Sequence, residues 1–249
     1  MSQEIDVQAE LTNRLKAYFD STLRSKMNYP GSAQITSIDV SGVKFSLLSL
    51  DYDDLKNVPI VPKSLVTKEF RNDSNATIHS TFQQTEQSSD SFKWSLTQGL
   101  KLGASAKFQA GVPIIGNAEA TLSAELSLGA GQESTVTKTH TWTESEVFDI
   151  PPKHSIKASI VLNEAHASTP FTAVVFAAGN VVYNLNTGGP QPYFHASLEG
   201  GVNWVTRPDL NRLPVLPNAE SRKFFARGTF TGTVGLATHV ATEDLKQLT

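Results

Sequence analysis

LKLGASAKFQAGVPIIGNAEATLSAELSLGA, residues Leu100–Ala130, decides how the rest of the chain is read. On the way in, Leu100, Leu102, Ala104, Ala106, Phe108, Ala110 and Val112 are all apolar. The positions between them are Lys101, Gly103, Ser105, Lys107, Gln109 and Gly111. On the way out, Ala118, Ala120, Leu122, Ala124, Leu126, Leu128 and Ala130 repeat the apolar set, alternating with Glu119, Thr121, Ser123, Glu125, Ser127 and Gly129. Alternation with period two is the mark of a strand with two unlike faces.

Folding the arms about Pro113–Asn117 places Val112 opposite Ala118, Phe108 opposite Leu122 and Leu102 opposite Leu128. One face is then wholly apolar and the other wholly polar, and a one-residue slip would destroy the match. Each arm has about 13 residues, enough for a tilted membrane-spanning strand of roughly 9–11. The apolar face is small and uncharged; the other offers Lys101, Lys107, Glu119 and Glu125. That is the chemistry of a barrel wall between lipid and a watery lumen. Half-buried hairpins of soluble sheets share the alternation. The turn, Pro113, Ile114, Ile115 and Gly116, is apolar, whereas soluble turns are polar.

The 249 residues suffice for one large β domain or two smaller ones. A net charge of −3 with no basic run argues against nucleic acid as a partner. The absence of cysteine excludes a disulfide framework, a thiolate metal site and a cysteine nucleophile. Met1–Asp6 lacks the charged and apolar regions of a signal peptide, so a mature form or another export route is expected. No apolar run has the length of a membrane helix, so membrane entry would take a β-barrel shared among copies.

Along the chain, Ile5, Leu11, Leu15, Tyr18, Phe19, Leu23 and Met27 recur at helical spacing, predicting a helix over 4–27 closed by Pro30-Gly31. Residues 34–50 alternate as one long strand, and Pro59 and Pro62 mark a crossing between domains. From Val66 to Gln98 the text is extended and rich in Ser and Thr; Ser134–Thr143 repeats the theme with Thr at alternate positions. Two long polar strands thus flank the hairpin. Strands are expected over 153–163, over 171–183 with a turn at Gly179-Asn180, over 193–206 with a kink at Gly200-Gly201, and over 223–241. One helix followed by many strands means a mainly β protein.

Catalytic spacing is missing. The six histidines form no metal pattern, and neither G-x-S-x-G nor a P-loop occurs. Gly129–Ser134 is a glycine cluster with no helix after it, and Asp53-Asp54 and Glu144/Glu146 read as solvated carboxylates. His140 on the Thr track reads as a solvated sheet histidine, with a pH sensor as the alternative. No enzymatic activity, cofactor or metal is expected. Tyr18, Phe19, Tyr29, Tyr52, Tyr193 and Trp204 are candidates for an aromatic receptor patch.

The order of these patterns resembles the aerolysin-like β-pore-forming toxins, most closely the epsilon-toxin/Mtx2 branch. The matching text runs from Asn75-Ala76-Thr77 to Trp94-Ser95 and through the hairpin and the Thr-rich return strand. It continues with Ile150-Pro151-Pro152 and the strand after it, then Gly228-Thr229-Phe230-Thr231-Gly232. It covers roughly 64–165 and 223–242, with no motif matched in the first sixty residues or from about 168 to 220. The resemblance implies an elongated aerolysin-like fold of long twisted antiparallel strands with an N-terminal helical head. Residues 1–63 would form a receptor-binding head, joined in space by about 168–222. Residues 64–167 would form the pore module, and 223–249 would complete the tail. A secreted or released monomer would bind an unknown glycan, lipid or protein receptor on a target-cell membrane, form a homo-oligomeric ring and insert the hairpin. A soluble β-sandwich lectin or adhesion module with a non-inserting hairpin is the competing reading.

Overall fold

A computed structural model describes residues 3–53, 55, 57–102, 107–115, 122–188, 192–203 (backbone alone at 201–203) and 213–248. Of the candidate residues, Ala104, Ala106, Gly116, Ala118, Glu119, Ala120 and Trp204 lie outside the described residues.

The chain opens with a short strand rather than the expected helix. β1, Gln3–Asp6, runs parallel to the end of β5, Ile78–Lys101, pairing Ile5 with Leu100 and Asp6 with Lys101. Ile5 therefore leaves the helical stripe. Asp6 caps α1, Val7–Tyr18, by accepting the Ala9 N–H at 3.0 Å. That bond is the main reason its carboxyl titrates below the usual range. A π-helical turn, Phe19–Leu23, and a final turn, α2, Arg24–Lys26, complete the segment. Leu11, Leu15, Phe19, Leu23 and Met27 stand four apart, and all are buried. An α-helix of 3.6 residues per turn lets such a row drift; the wider turn holds it on the core side.

The spine of the sheet is β9, His154–Asn186, a single strand of 33 residues with a contour length of roughly 110 Å. The sequence pattern instead predicts two strands here, 153–163 and 171–183, with a turn at Gly179-Asn180. Pro170 sits where one neighbour has ended and the next has not begun. β3, Val43–Tyr52, covers β9 from Gly179 to Phe171, and β4, Ile60–Asn72, covers it from Ala165 to His154. The Pro170 carbonyl accepts the Asp53 N–H in that gap, so the missing proline N–H costs no ladder bond. The expected strand 34–50 is likewise two pieces, β2, Gln34–Asp39, and β3, separated by a turn. Pro62 lies within β4 opposite Asn163, not in a crossing.

On the other side of β9 runs β12, Lys223–Thr242, which in turn pairs with β5. The outer neighbour of β5 is β8, Glu133–Ile150, in an unbroken register from Ile78↔Ile150 to Ser95↔Glu133. A hairpin of β10, Tyr193–Ser197, and β11, Gly201–Asn203, adds to the far end of β9, and β13, Lys246–Gln247, pairs with its start. β6, Lys107–Gly111, and β7, Ser123–Ser127, form a separate two-stranded sheet.

Two apolar clusters hold these layers. The larger joins the helix, β3, β9, β12 and the hairpin; the smaller holds Phe82, Phe148, Ile150, Ala158 and Ile160, with Phe70 packed on them. Between them the β5–β8 ribbon is polar, with Thr85–Thr143 and Ser89–Thr139 hydroxyl pairs across it. Asp90 is the buried exception. One carboxylate oxygen accepts the Gly235 N–H at 2.9 Å, and the other meets His140 Nε2 at 2.7 Å. The bond ties β5, β8 and β12 together, so His140 is a bonded sheet residue.

Candidate functional site: the amphipathic hairpin

Both arms of the stretch Leu100–Ala130 contribute strands, but not in the register expected from the sequence. β6 and β7 pair Lys107 with Ser127, Phe108 with Leu126, Gln109 with Glu125, Ala110 with Ala124 and Gly111 with Ser123. The Val112 N–H donates to the Leu122 carbonyl at 3.0 Å. Phe108 thus faces Leu126 rather than Leu122, and Val112 faces Leu122 rather than Ala118. The displacement is four residues. Because it is even, every described side chain keeps the face that alternation assigned to it.

Among the described residues the apolar face is covered. Leu100, Leu102, Phe108, Ala110, Val112, Ala124, Leu126 and Leu128 are all buried in the main core, with Leu122 half-buried against it and Ala130 half-buried. Burying a Leu, Phe or Val side chain is worth about 1.5–3 kcal/mol, so the fold holds this face firmly. The cover includes β3, which lies against β6, and β12. The cover meets a physical need: a uniformly apolar face in water would be an aggregation patch.

At the turn, Pro113 is half-buried, and the two isoleucines differ. Ile114 is 55% exposed, while Ile115 is 0% exposed. Ile115 lies over Gly232 of β12, where a Cβ would come within 2.4 Å of Ile115 Cδ1. The turn is therefore anchored on the sheet by one residue. Nothing near position 115 in the sequence signals a partner at 232.

At the base the glycine cluster finds its role. The chain turns at Gly129–Gln132, with the Gln132 N–H bonded to the Gly129 carbonyl at 3.2 Å. It passes so close to β5 that a Cβ on Gly99 would lie 2.0 Å from the Ala130 nitrogen. The Leu100 N–H still donates to the Leu128 carbonyl at 2.7 Å, continuing the β5–β8 register into the base. The polar face stays wet. Lys107 meets Glu125 at 2.5 Å, and Lys101 meets Asp6 at 3.4 Å.

Among the described residues, the receptor candidates do not form one patch. Tyr193 is 63% exposed on β10, its ring edge-on to His195. Tyr18 is half-buried and lines a groove of about 410 Å³ with Ala17, Ser21, Leu216 and Pro217. Phe19 is 0% exposed and packs with Tyr29, Tyr183 and Phe194; as folded it offers a receptor nothing. Tyr29 is half-buried beside it, and its phenol is pushed up by burial. Tyr52 accepts the Trp94 indole N–H at 2.8 Å, an interior bond. Burial sorts these residues, and burial is set by tertiary contacts that residue type alone does not reveal. Among the described residues, no three His, Asp or Glu side chains are grouped to hold a metal, and no helix is long and apolar enough to cross a membrane.

Comparison with known proteins agrees with this geometry. The solved neighbours include a non-toxic crystal protein from Bacillus thuringiensis, 16% identical, with 96% of this chain and 97% of that one covered at a TM-score of 0.58. They also include the β-pore-forming protein Mpp75Aa1.1 from Brevibacillus laterosporus, 16% identical, with 97% and 90% covered at a TM-score of 0.54. These likenesses establish the fold, a mainly β, aerolysin-like one. A curated relative, a cytotoxin of Pseudomonas aeruginosa, is 29% identical over 155 residues, 59% of this chain. The chain spans about half the length of that relative, 54%. The family model for Clostridium epsilon toxin ETX/Bacillus mosquitocidal toxin MTX2 matches residues 8–242. With nearly its whole length matched, the chain belongs to the ETX/MTX2 toxin family.

Proposed function

We propose that the protein is a β-pore-forming cytolysin. Released as a monomer, it docks on a target-cell surface through the head, residues 1–63 with 168–222, assembles into a homo-oligomeric ring and inserts the hairpin 100–130 as its share of one transmembrane barrel. The observation that carries this reading is the hairpin itself. Its apolar face has no charge and is covered by the core, while Lys101, Lys107 and Glu125 stand in water on the other face. Lipid can replace the core as cover without any side chain changing face. Neighbouring hairpins then satisfy each other's edges, which lipid cannot do. The cytotoxin relative supports the activity, and the family supports the membrane as target.

Fold alone does not carry toxicity, since the Bacillus thuringiensis neighbour is described as non-toxic. The second reading is therefore a lectin-like or adhesion module whose hairpin stays folded. Leu122→Arg separates the two. Leu122 is only half-buried in the soluble fold, so an arginine there is tolerated, but it faces lipid in a barrel. The cytolysin reading expects normal folding and cell binding with lysis reduced at least a hundredfold. A variant that lyses as well as the parent would leave the non-inserting module as the better account.

A further inference from the structure

The hairpin and the ribbon that carries it are zipped in different registers. The β5–β8 ladder runs to Ser95↔Glu133 and is extended by bonds from Leu96 to Gln132 and from Leu100 to Leu128. The hairpin ladder begins at Lys107↔Ser127. Between Leu100 and Lys107 lie six residues, 101–106; between Leu128 and Ser127 lies none. The incoming arm thus carries six residues more than the outgoing arm at the junction.

That excess cannot be kept in a membrane. Backbone groups in lipid need partners, so a barrel wall has no room for a six-residue mismatch. The folded register is also too short. It pairs Lys107–Val112 with Leu122–Ser127, six residues per arm, against roughly 9–11 for a spanning strand. Zipping from the ribbon instead pairs 101–112 with 116–127, twelve residues per arm, with only 113–115 left as the turn. Twelve residues reach about 40 Å along the strand, or about 30 Å of height at a tilt of roughly 40°.

We infer that insertion includes a six-residue slip of the hairpin, from the folded register to that of the β5–β8 ribbon. The inference rests on the cytolysin reading. Six is even, so the apolar and polar faces survive the slip. The charges fit it independently. In the folded register Lys107 stands opposite Ser127 and reaches diagonally to Glu125 at 2.5 Å. Lys101 precedes Lys107 by six residues, and Glu119 precedes Glu125 by six. After the slip Lys101 stands opposite Ser127 and takes over Glu125 in the same diagonal geometry. Lys107 stands opposite Thr121 and takes Glu119. Lys101 leaves Asp6, and both lysines of the hairpin then pair across it with its two glutamates, lining the lumen.

Two cysteine pairs test the slip in a chain that has no cysteine of its own. Gly111→Cys/Ser123→Cys matches the folded register. Oxidised in solution, it should close; it should still bind cells and form rings but release dye at least tenfold more slowly, with reductant restoring the rate. Ser105→Cys/Ser123→Cys matches the ribbon register and should close within SDS-resistant rings without loss of conductance. Undiminished lysis by oxidised Gly111→Cys/Ser123→Cys, or rings in which Ser105→Cys/Ser123→Cys stays open to oxidation, would overturn the slip. Absence of both rings and lysis in the reduced variants and the parent alike would instead overturn the cytolysin reading, and the slip with it.

Discussion

Ile115 occupies the space that any side chain at position 232 would need: a Cβ on Gly232 would lie 2.4 Å from Ile115 Cδ1. One isoleucine in the turn and one glycine on β12 thus seat the turn of the hairpin on the sheet. Phe230 borders the same point at 3.2 Å, so Ile115 has little room to yield. Gly232→Ala should cost about 1–3 kcal/mol by overpacking, spent on the turn rather than on the whole fold. Limited proteolysis checks it. Cleavage within the hairpin should quicken several-fold, while the global thermal transition shifts by only a few degrees.

The base of the hairpin makes a sharper demand. At Gly99 the obstacle is backbone, with the Ala130 nitrogen 2.0 Å from where an alanine methyl would stand. A flexible side chain can move aside; a crossing strand cannot. Gly99→Ala should be more destabilising than Gly232→Ala and should lower the denaturation midpoint in urea.

Asp90 supplies a test of the polar ribbon. Asp90→Leu leaves the Gly235 N–H and His140 Nε2 without their shared acceptor. A buried group left unsatisfied costs about 1–3 kcal/mol. In a chain of this size each kcal/mol is worth roughly 2–4 °C of Tm. Calorimetry should show the loss, and Ser89→Ala, at an exposed hydroxyl pair, should show almost none.

Alkali should find the helix–sheet seam. Burial pushes the Tyr183 phenol well above its ordinary value of 10.0; its hydroxyl donates to the Leu15 carbonyl at 3.4 Å. Above pH 10 the unfolded chain releases this proton and the folded one does not. Stability is therefore complete below that pH and falls as pH rises toward the folded value. Denaturation midpoints of Tyr183→Phe should fall less between pH 10 and 11.5 than those of the parent.

A barrel lined by Lys101, Lys107, Glu119 and Glu125 carries balanced charge. Planar-bilayer recordings should therefore show weak ion selectivity, and Lys101→Glu/Lys107→Glu should convert the pore to a cation-selective one. Strong selectivity in the parent would contradict this lumen.

What could be read from the sequence was what is local. Alternation between Leu100 and Ala130 depends only on neighbouring residues, so which described residues are buried and which exposed was legible even though the register was not. The register error was even and left the faces intact. The continuity of β9 was hidden because the gap that admits Pro170 is set by where β3 and β4 end, a hundred or so residues away in the chain. The stripe of the N-terminal helix was legible, but not that Ile5 belongs to a strand, since its partner Leu100 is far along the chain. Phe19 and Tyr193 are alike as aromatic residues, and only packing separates the buried one from the exposed one.

The most direct measurement is dye release from vesicles made of target-cell lipids, with an unboiled SDS gel of the same sample. An inserting hairpin predicts release together with a large SDS-resistant band, both lost in Leu122→Arg. Cells that bind the protein yet stay intact, with neither release nor band even after limited trypsin treatment, would contradict insertion and mark the hairpin as a fixed part of a binding module.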